Sequence, residues 1–139
     1  MTKRLAASSV LLITACGLAG CDSFREVHLT PHHDTGAALT TPDAKDVDAL
    51  VDAVRKVAAQ TQLTCVDHPK PDVYVACGPW FHNLSVTQPG GIPTIELHLA
   101  HPGPALGHDR DCDQIDEWIR GLQALLGELD VTSPLGACR

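Results

Sequence analysis

The 139-residue sequence is poor in aromatic residues and in positive charge. Phenylalanine, tryptophan and tyrosine make up 4% of it, so it offers no evident platform for stacking bases or sugars. Lysine and arginine total 10 against 17 aspartates and glutamates, which gives a formal charge of −7. A net-acidic chain argues against binding to nucleic acid and against electrostatic attachment to anionic lipid headgroups.

Catalytic motifs are missing from the sequence as well. It contains no Gly-x-Ser-x-Gly, Ser-x-x-Lys or His-Glu-x-x-His pattern, and no glycine-rich loop leads from a strand into a helix to hold a phosphate. We therefore expect a protein that is not an enzyme and carries no cofactor.

The first 20 residues are organised like a secretory signal. Lys3 and Arg4 form a positive head, and a run of apolar or small residues extends from Leu5 to Gly17. The run is shorter than a membrane-spanning helix, which needs about 20 apolar residues. We therefore expect residues 1–20 to be a signal peptide that is removed.

The sequence Leu18-Ala19-Gly20-Cys21 closes this segment. It resembles the lipobox of bacterial lipoproteins, in which an apolar residue and two small residues precede a cysteine. The resemblance covers residues 1–21 and implies cleavage before Cys21, a diacylglyceryl thioether on its sulfur and an acylated amine. It also implies a domain that is lipid-anchored at the cell membrane and faces the periplasm or extracytoplasmic side. An ordinary secretory signal with a chance cysteine is the alternative.

The chain from Cys21 onward divides into a tether and a domain. Residues 21–41 show no apolar period, so we predict a lipidated cysteine followed by a flexible tether. The alternatives are that Phe24, Val27 and Leu29 dock on the domain or insert into the membrane interface. We assign residues 42–139 to a single domain. Loss of residues 1–20 leaves 119 residues, enough for one modest core, and takes the charge from −7 to −9.

Two amphipathic helices are predicted. The first runs from Asp43 to Gln60, behind Thr41 as its N-cap, with its apolar residues spaced along one stripe. These residues are Val47, Leu50, Val51, Val54 and Ala58. The second begins at Asp111, with Gln114 as its capping-box partner. It keeps a helical period through Ile115, Trp118, Ile119, Leu122, Leu125, Leu126 and Leu129. Residues 130–139 are interpreted as a tail.

Four short strands are predicted between the helices, at residues 63–66, 73–77, 80–87 and 94–99. In the fourth strand Ile95, Leu97 and Leu99 share one face, and polar residues occupy the other. This alternation is typical of an antiparallel sheet covered on one side. We therefore predict an α+β fold, a two-layer sandwich with two helices on one face of a small sheet of about four strands.

Four cysteines follow Cys21, and in an exported domain they indicate two disulfides. We predict Cys65–Cys77 across the first hairpin, and Cys112–Cys138 stapling the tail to the second helix. A Cys77–Cys138 pairing is the alternative. A four-cysteine metal site is disfavoured because the sequence has no Cys-x-x-Cys.

Histidines near the fourth strand form a candidate metal site. His98, His101 and His108 lie close together in the sequence, with aspartates after them. Imidazoles and carboxylates are ligands for divalent metals. The structural alternative is a polar loop followed by acidic residues at a helix N-terminus, where the helix dipole favours them.

An aromatic pair, Trp80-Phe81, follows the bend Gly78-Pro79. Aromatic residues at such a position either cover the core of a small sheet or form an exposed patch for a partner. We predict that Trp80 is a core residue and leave Phe81 open.

Taken together, these features predict a lipid-anchored cell-envelope module that binds or assembles with another envelope protein and is not catalytic. The alternative is a periplasmic lipoprotein that binds or senses a divalent metal through His98, His101 and His108.

Overall fold

Six strands and two helices make up the described part of the chain. A computed structural model describes residues 22–32, 44–102 and 108–135. The elements are, in order, β1 Asp22–Pro31, α1 Ala44–Gln60, β2 Cys65–Lys70, β3 Val73–Cys77, β4 His82–Thr87, β5 Thr94–Pro102, α2 His108–Leu126 and β6 Leu129–Leu135. A short 3-10 turn, Pro89–Gly91, connects β4 to β5.

All of the described strands pair into one antiparallel sheet in the order β2-β3-β4-β5-β1-β6. The α+β architecture is therefore confirmed, but the sheet has six strands where about four were predicted. The two additional strands are β1 and β6, which the sequence analysis interpreted as a tether and a tail.

Both helices pack on the sheet through a single core. Helix α1 contacts β3, β4 and α2, and α2 also contacts β1. The side chains that are fully buried come from both helices and the inner strands, and the largest are Trp118, Leu29, Leu84, Ile95, Leu97, Ile115 and Leu122. Burying each such side chain contributes about 1.5–3 kcal/mol. The helices approach each other closely at Gly121, where a Cβ would lie 3.1 Å from a methyl carbon of Val57.

Strand β1 overturns the predicted tether for residues 22–31. This strand lies inside the sheet, between β5 and β6, with Val27 opposite Leu97 and Leu29 opposite Ile95. Val27 and Leu29 are buried because they alternate with the polar residues Glu26, His28 and Thr30. The alternative, in which the apolar residues of this segment dock on the domain, is the correct one for Val27 and Leu29.

Several predicted element boundaries are also wrong. Helix α2 ends at Leu126, so Leu129, predicted to lie in that helix, is a buried residue of β6, and residues 130–135 continue β6 along β1 instead of forming a tail. Strand β2 covers 65–70 and not 63–66, and β5 extends to Pro102. Helix α2 begins at His108, so Asp111 lies inside its first turns and is buried instead of capping it. Strand β4 begins at His82, after the two aromatic residues. Helix α1 ends at Gln60 as predicted.

A disulfide joins Cys65 to Cys77 across the β2–β3 pair, as predicted from the sequence. Cys112 is also disulfide-bonded, and its predicted partner Cys138 lies outside the described residues. The lipobox, including Cys21, lies outside them as well. None of the helices in the described ranges is long and apolar enough to cross a membrane.

The two ends of the sheet differ in what they carry. The proximal end, as we name it, is where β1 starts at Asp22. It also carries the α1–β2 connection at 61–64, the β3–β4 turn at 78–81 and the start of α2. The opposite, distal end carries the start of α1, the β2–β3 turn at 71–72, the β4–β5 connection at 88–93 and the α2–β6 connection at 127–128.

Candidate functional site

The sheet face away from the helices is polar, and we call it the open face. Its side chains alternate with those of the core along β1, β4 and β5. The set consists of Glu26, His28, Thr30, Asn83, Ser85, Thr87, Thr94, Glu96 and His98. No described helix covers this face, and its Ser85, Thr87 and Thr94 are buried among their neighbours in the sheet.

Four side chains at the centre of the open face form an acid–imidazole quartet, defined as Glu26, His28, Glu96 and His98. His28 lies directly opposite Glu96, and Glu26 lies directly opposite His98, in the β1–β5 register. Acid and imidazole therefore alternate both along each strand and across the strand pair. Directly opposed residues on one face of a sheet have Cβ atoms about 4.5–5.5 Å apart, so the four groups form one cluster.

Hydrogen bonds hold the quartet in place. The His28 imidazole donates from Nε2 to Oε1 of Glu26 at 2.5 Å, and His98 donates from Nε2 to Oε2 of Glu96 at 3.3 Å. The Thr87 hydroxyl donates to the other oxygen of Glu96 at 2.8 Å. The quartet side chains are 20–29% exposed, so they are reachable but partly shielded from water.

The electrostatics of the quartet favour ionised Glu96. The hydrogen bond from His98, then that from Thr87, and the charges of His28 and His98 lower the pKa of Glu96, and partial burial opposes them. The quartet therefore presents a carboxylate that stays charged in mildly acidic solution, with imidazoles on either side of it.

The structure places one of the three predicted metal ligands in the quartet. His98 lies on the open face beside Glu96. The backbone of His101 pairs with Ser23, but the side chains of His101 and His108 lie outside the described residues. Within the described ranges, no group of three or more His, Cys, Asp or Glu side chains is arranged to hold a metal ion.

Glu26 and His28 are not among the predicted site residues, because they lie in the segment 21–41 that the sequence predicts to be a tether. The signal that identifies them is the alternation of Glu26, His28 and Thr30 with the buried Val27 and Leu29. The pairing of β1 with β5 brings them beside Glu96 and His98.

A second feature, the aromatic tip, consists of Trp80 and Phe81 at the proximal end. Trp80 is 78% exposed and Phe81 45% exposed, so the prediction that Trp80 is a core residue is wrong. The two rings pack edge to face with centroids 5.7 Å apart. The core instead uses the fully buried Trp118, whose ring packs against His82 at 4.9 Å.

The turn that carries the aromatic tip has a defined conformation. Gly78 has φ of +92°, and a Cβ there would lie 2.2 Å from the carbonyl oxygen of His82. The Asn83 side-chain amide donates to the Gly78 carbonyl at 3.0 Å, and the His82 amide donates to the Pro79 carbonyl at 3.0 Å. Ala100 of β5 donates its amide to the Phe81 carbonyl at 2.8 Å. These hydrogen bonds fix the aromatic tip to the sheet, and the conformation of the turn keeps both rings exposed.

An open cleft also lies between α1 and the β2–β3 hairpin. It is lined by Val51, Arg55, Asp67 and Tyr74, among others. Arg55 forms an ion pair with Asp67, and the Tyr74 hydroxyl donates to Gln88. Arg55 and Asp67 are 40% and 59% exposed, so water screens their charges more strongly than those of the quartet, and the cleft is a weaker candidate than the open face.

Comparison with known proteins does not identify a function for any of these surfaces. No protein-family model matches the chain, and a search of curated proteins finds no match. A function for this chain must therefore be argued from its own residues.

Proposed function

We propose that this chain is a lipid-anchored protein of the bacterial cell envelope that binds a partner protein and catalyses no reaction. The observation that carries the proposal is the acid–imidazole quartet on the open face, a partly shielded and hydrogen-bonded polar cluster. The resemblance of residues 1–21 to a lipoprotein signal supports the anchor at Cys21.

The edges of the sheet are poor sites for a partner. The β2 edge contains Pro69 and Lys70 and an irregular register between Asp67 and Lys70, and β6 contains Pro134. Proline, lysine and bulges at an edge oppose the addition of another strand. A partner is therefore expected to bind the open face and not to extend the sheet.

The open face suits a polar, specific contact. Side chains that are already ordered lose little conformational entropy when a partner binds. Carboxylates of the quartet can accept charge-assisted hydrogen bonds from lysine or arginine of a partner, which are roughly twice as strong as neutral ones. We therefore infer a partner that presents a basic or amide-rich surface.

The test is native mass spectrometry of the full protein, extracted from its own host in mild detergent without reductant. We expect a bound protein chain with the wild type, and loss of that chain with the isosteric double variant Glu26→Gln/Glu96→Gln. The matched control is Asp48→Asn/Asp52→Asn, which neutralises two exposed carboxylates of α1 and should retain the partner.

Two results would overturn the proposal. One is a folded quartet variant that keeps its partner as well as the control does, and the other is an enzymatic turnover traced to residues of this domain. The same spectra report the mass of the acyl chains on Cys21, so a missing lipid would refute the anchor separately from the binding face.

A metal-binding function is the second candidate, because His98 lies beside the Glu96 carboxylate and further ligands could come from His101 and His108, whose side chains lie outside the described residues. Imidazole and carboxylate groups are ligands for divalent metals such as zinc. We expect His98→Ala/His101→Ala/His108→Ala to weaken zinc affinity in calorimetric titrations, and His32→Ala/His68→Ala to leave it unchanged. Equal affinity in all three proteins would eliminate this candidate. If His28→Ala lowered the zinc affinity and His101→Ala did not, the metal would be assigned to the quartet.

A further inference from the structure

We propose that the aromatic tip, Trp80 and Phe81, inserts into the headgroup region of the same bilayer that holds the lipid anchor. The inference rests on the proposed function, because it takes Cys21 as the anchored residue. It goes further in assigning the surface of the domain that meets the membrane.

The aromatic tip and the start of β1 lie at the same end of the sheet. Phe24 of β1 lies opposite Ala100 of β5, whose amide is bonded to the Phe81 carbonyl. Two strand spacings therefore separate Phe81 from β1, about 10 Å. Asp22, which directly follows Cys21, lies two residues farther along β1, about 7 Å.

This arrangement keeps the domain close to the lipid. Because β1 begins one residue after Cys21, no long leash separates the anchored residue from the sheet. A fully extended residue spans about 3.3–3.6 Å, so acyl chains on Cys21 would hold the proximal end near the headgroups.

The distribution of charge agrees with this orientation. The two proximal connections that the structure describes, residues 61–64 and 78–81, contain no charged residue. The same end also carries Asp22 at the start of β1 and Arg110 and Asp113 on the first turns of α2, so the absence of charge belongs to these connections and not to the whole end. Because the aromatic tip lies in an uncharged connection, its insertion does not require a charged side chain of that connection to leave water.

The side chains of the aromatic tip suit the headgroup region. Tryptophan is enriched at membrane interfaces because its ring is apolar and its indole N–H is polar. Two aromatic rings alone bind a bilayer weakly, but the anchor raises their effective concentration at the surface. Insertion of the aromatic tip would therefore orient the domain, while the acyl chains supply the attachment.

Fluorescence can test the proposal, because the chain has two tryptophans and Trp118 is fully buried. The full lipidated protein is purified from its host, its acyl mass is verified, and it is reconstituted into phosphatidylcholine vesicles that contain brominated lipid. We expect Trp80 emission to shift to shorter wavelength and to be quenched by the bromine. Trp80→Phe supplies the Trp118 background and should lose both signals.

A matched control moves the reporter to the distal end. Ile92 is 40% exposed in the β4–β5 connection, so Trp80→Phe/Ile92→Trp carries an exposed tryptophan far from the anchor. We expect no quenching in this variant. Vesicles containing phosphatidylglycerol should give the same result as pure phosphatidylcholine, because the contact is apolar.

With vesicles alone, three outcomes would overturn the inference. They are unquenched Trp80 in verified lipidated protein, equal quenching of tryptophan at position 92, and quenching that requires the anionic lipid. Protein without acyl chains would instead refute the anchor of the proposed function, so the two failures are distinguishable. A shift of Trp80 emission that needs an added envelope protein, and not lipid, would assign the aromatic tip to a protein partner and refute membrane insertion.

Discussion

Glu96 is the residue of the open face whose ionisation is expected to affect the stability of the fold. Its carboxylate accepts hydrogen bonds from His98 and Thr87, and these contacts lower its pKa in the folded state. A carboxyl with a lowered pKa stabilises the fold while it is ionised, and this contribution is lost as the pH falls through the folded-state pKa.

We therefore predict a pH-dependent difference between the wild type and Glu96→Gln. Above the ordinary glutamate pKa of 4.5 the wild type should have the larger free energy of unfolding, and the difference should shrink as the solution is acidified below it. Urea denaturation at a series of pH values, with a chelator present, measures this difference. Thr87→Val, which removes one of the hydrogen bonds, should give an intermediate loss. Parallel pH profiles for the wild type and Glu96→Gln would contradict the prediction.

Gly78 is the residue that fixes the turn of the aromatic tip. Gly78 and Gly90 both have positive φ, but only at Gly78 would a Cβ meet backbone, since nothing lies within 4 Å of the Gly90 position. A left-handed backbone conformation costs an L-residue about 1–2 kcal/mol, so Gly90→Ala should lower the free energy of unfolding by that amount. Gly78→Ala should lower it by about 1–3 kcal/mol more, which is the usual cost of overpacking. Equal midpoints for the two variants in urea denaturation would show that the turn can relax around the added methyl group.

At the scale of elements, β1 is the strand on which the sheet depends most directly. It connects β5 to β6 and contributes Val27 and Leu29 to the core. A flexible tether would tolerate any substitution in this segment, whereas an inner strand would not.

Substitution within β1 distinguishes these two situations. Leu29 is fully buried, and Leu29→Ala should lower the free energy of unfolding by about 2–5 kcal/mol, the range for large-to-small core changes. The neighbouring Thr30 lies on the open face, and Thr30→Ala should cost less than about 1 kcal/mol. Thermal or urea unfolding of the two variants makes the comparison. Similar losses would mean that β1 does not pack as described.

The elements that the sequence predicts correctly are those that carry their own periodicity. Helix α1 has an apolar stripe, and β5 alternates buried Ile95 and Leu97 with polar residues, so each can be identified locally. Among the side chains of β6 that the structure describes, only Leu129 belongs to the core cluster, so they show no apolar alternation. Strand β1 does alternate, but over a short stretch, and its partners β5 and β6 lie far along the chain.

The candidate site was less predictable for the same reason. The quartet exists only because β1 pairs with β5, so His98 could be selected from the sequence without its neighbours Glu26 and His28. The sequence predicts Trp80 as a core residue because aromatic residues beside a bend often cover the core of a small sheet, yet the core is filled by Trp118 and Trp80 is exposed on the turn at Gly78. Exposure of a single aromatic residue depends on turn geometry that composition does not specify.

At the scale of the whole molecule, the aromatic tip and the start of β1 lie at the same, proximal end of the sheet. If Cys21 is acylated, this arrangement sets the open face at an angle to the bilayer. Membrane contact should then be confined to the proximal connections, residues 61–64 and 78–81.

Hydrogen exchange of the lipidated protein tests this arrangement independently of fluorescence. We predict that vesicle binding slows exchange in peptides covering residues 61–64 and 78–81, because insertion excludes water from them, and leaves the distal residues 71–72 and 88–92 unchanged. Trp80→Ala/Phe81→Ala should remain anchored through Cys21 but lose the proximal protection, which separates insertion from attachment. Protection spread equally over both ends would indicate a domain without a preferred orientation, and distal protection alone would reverse the proposed one.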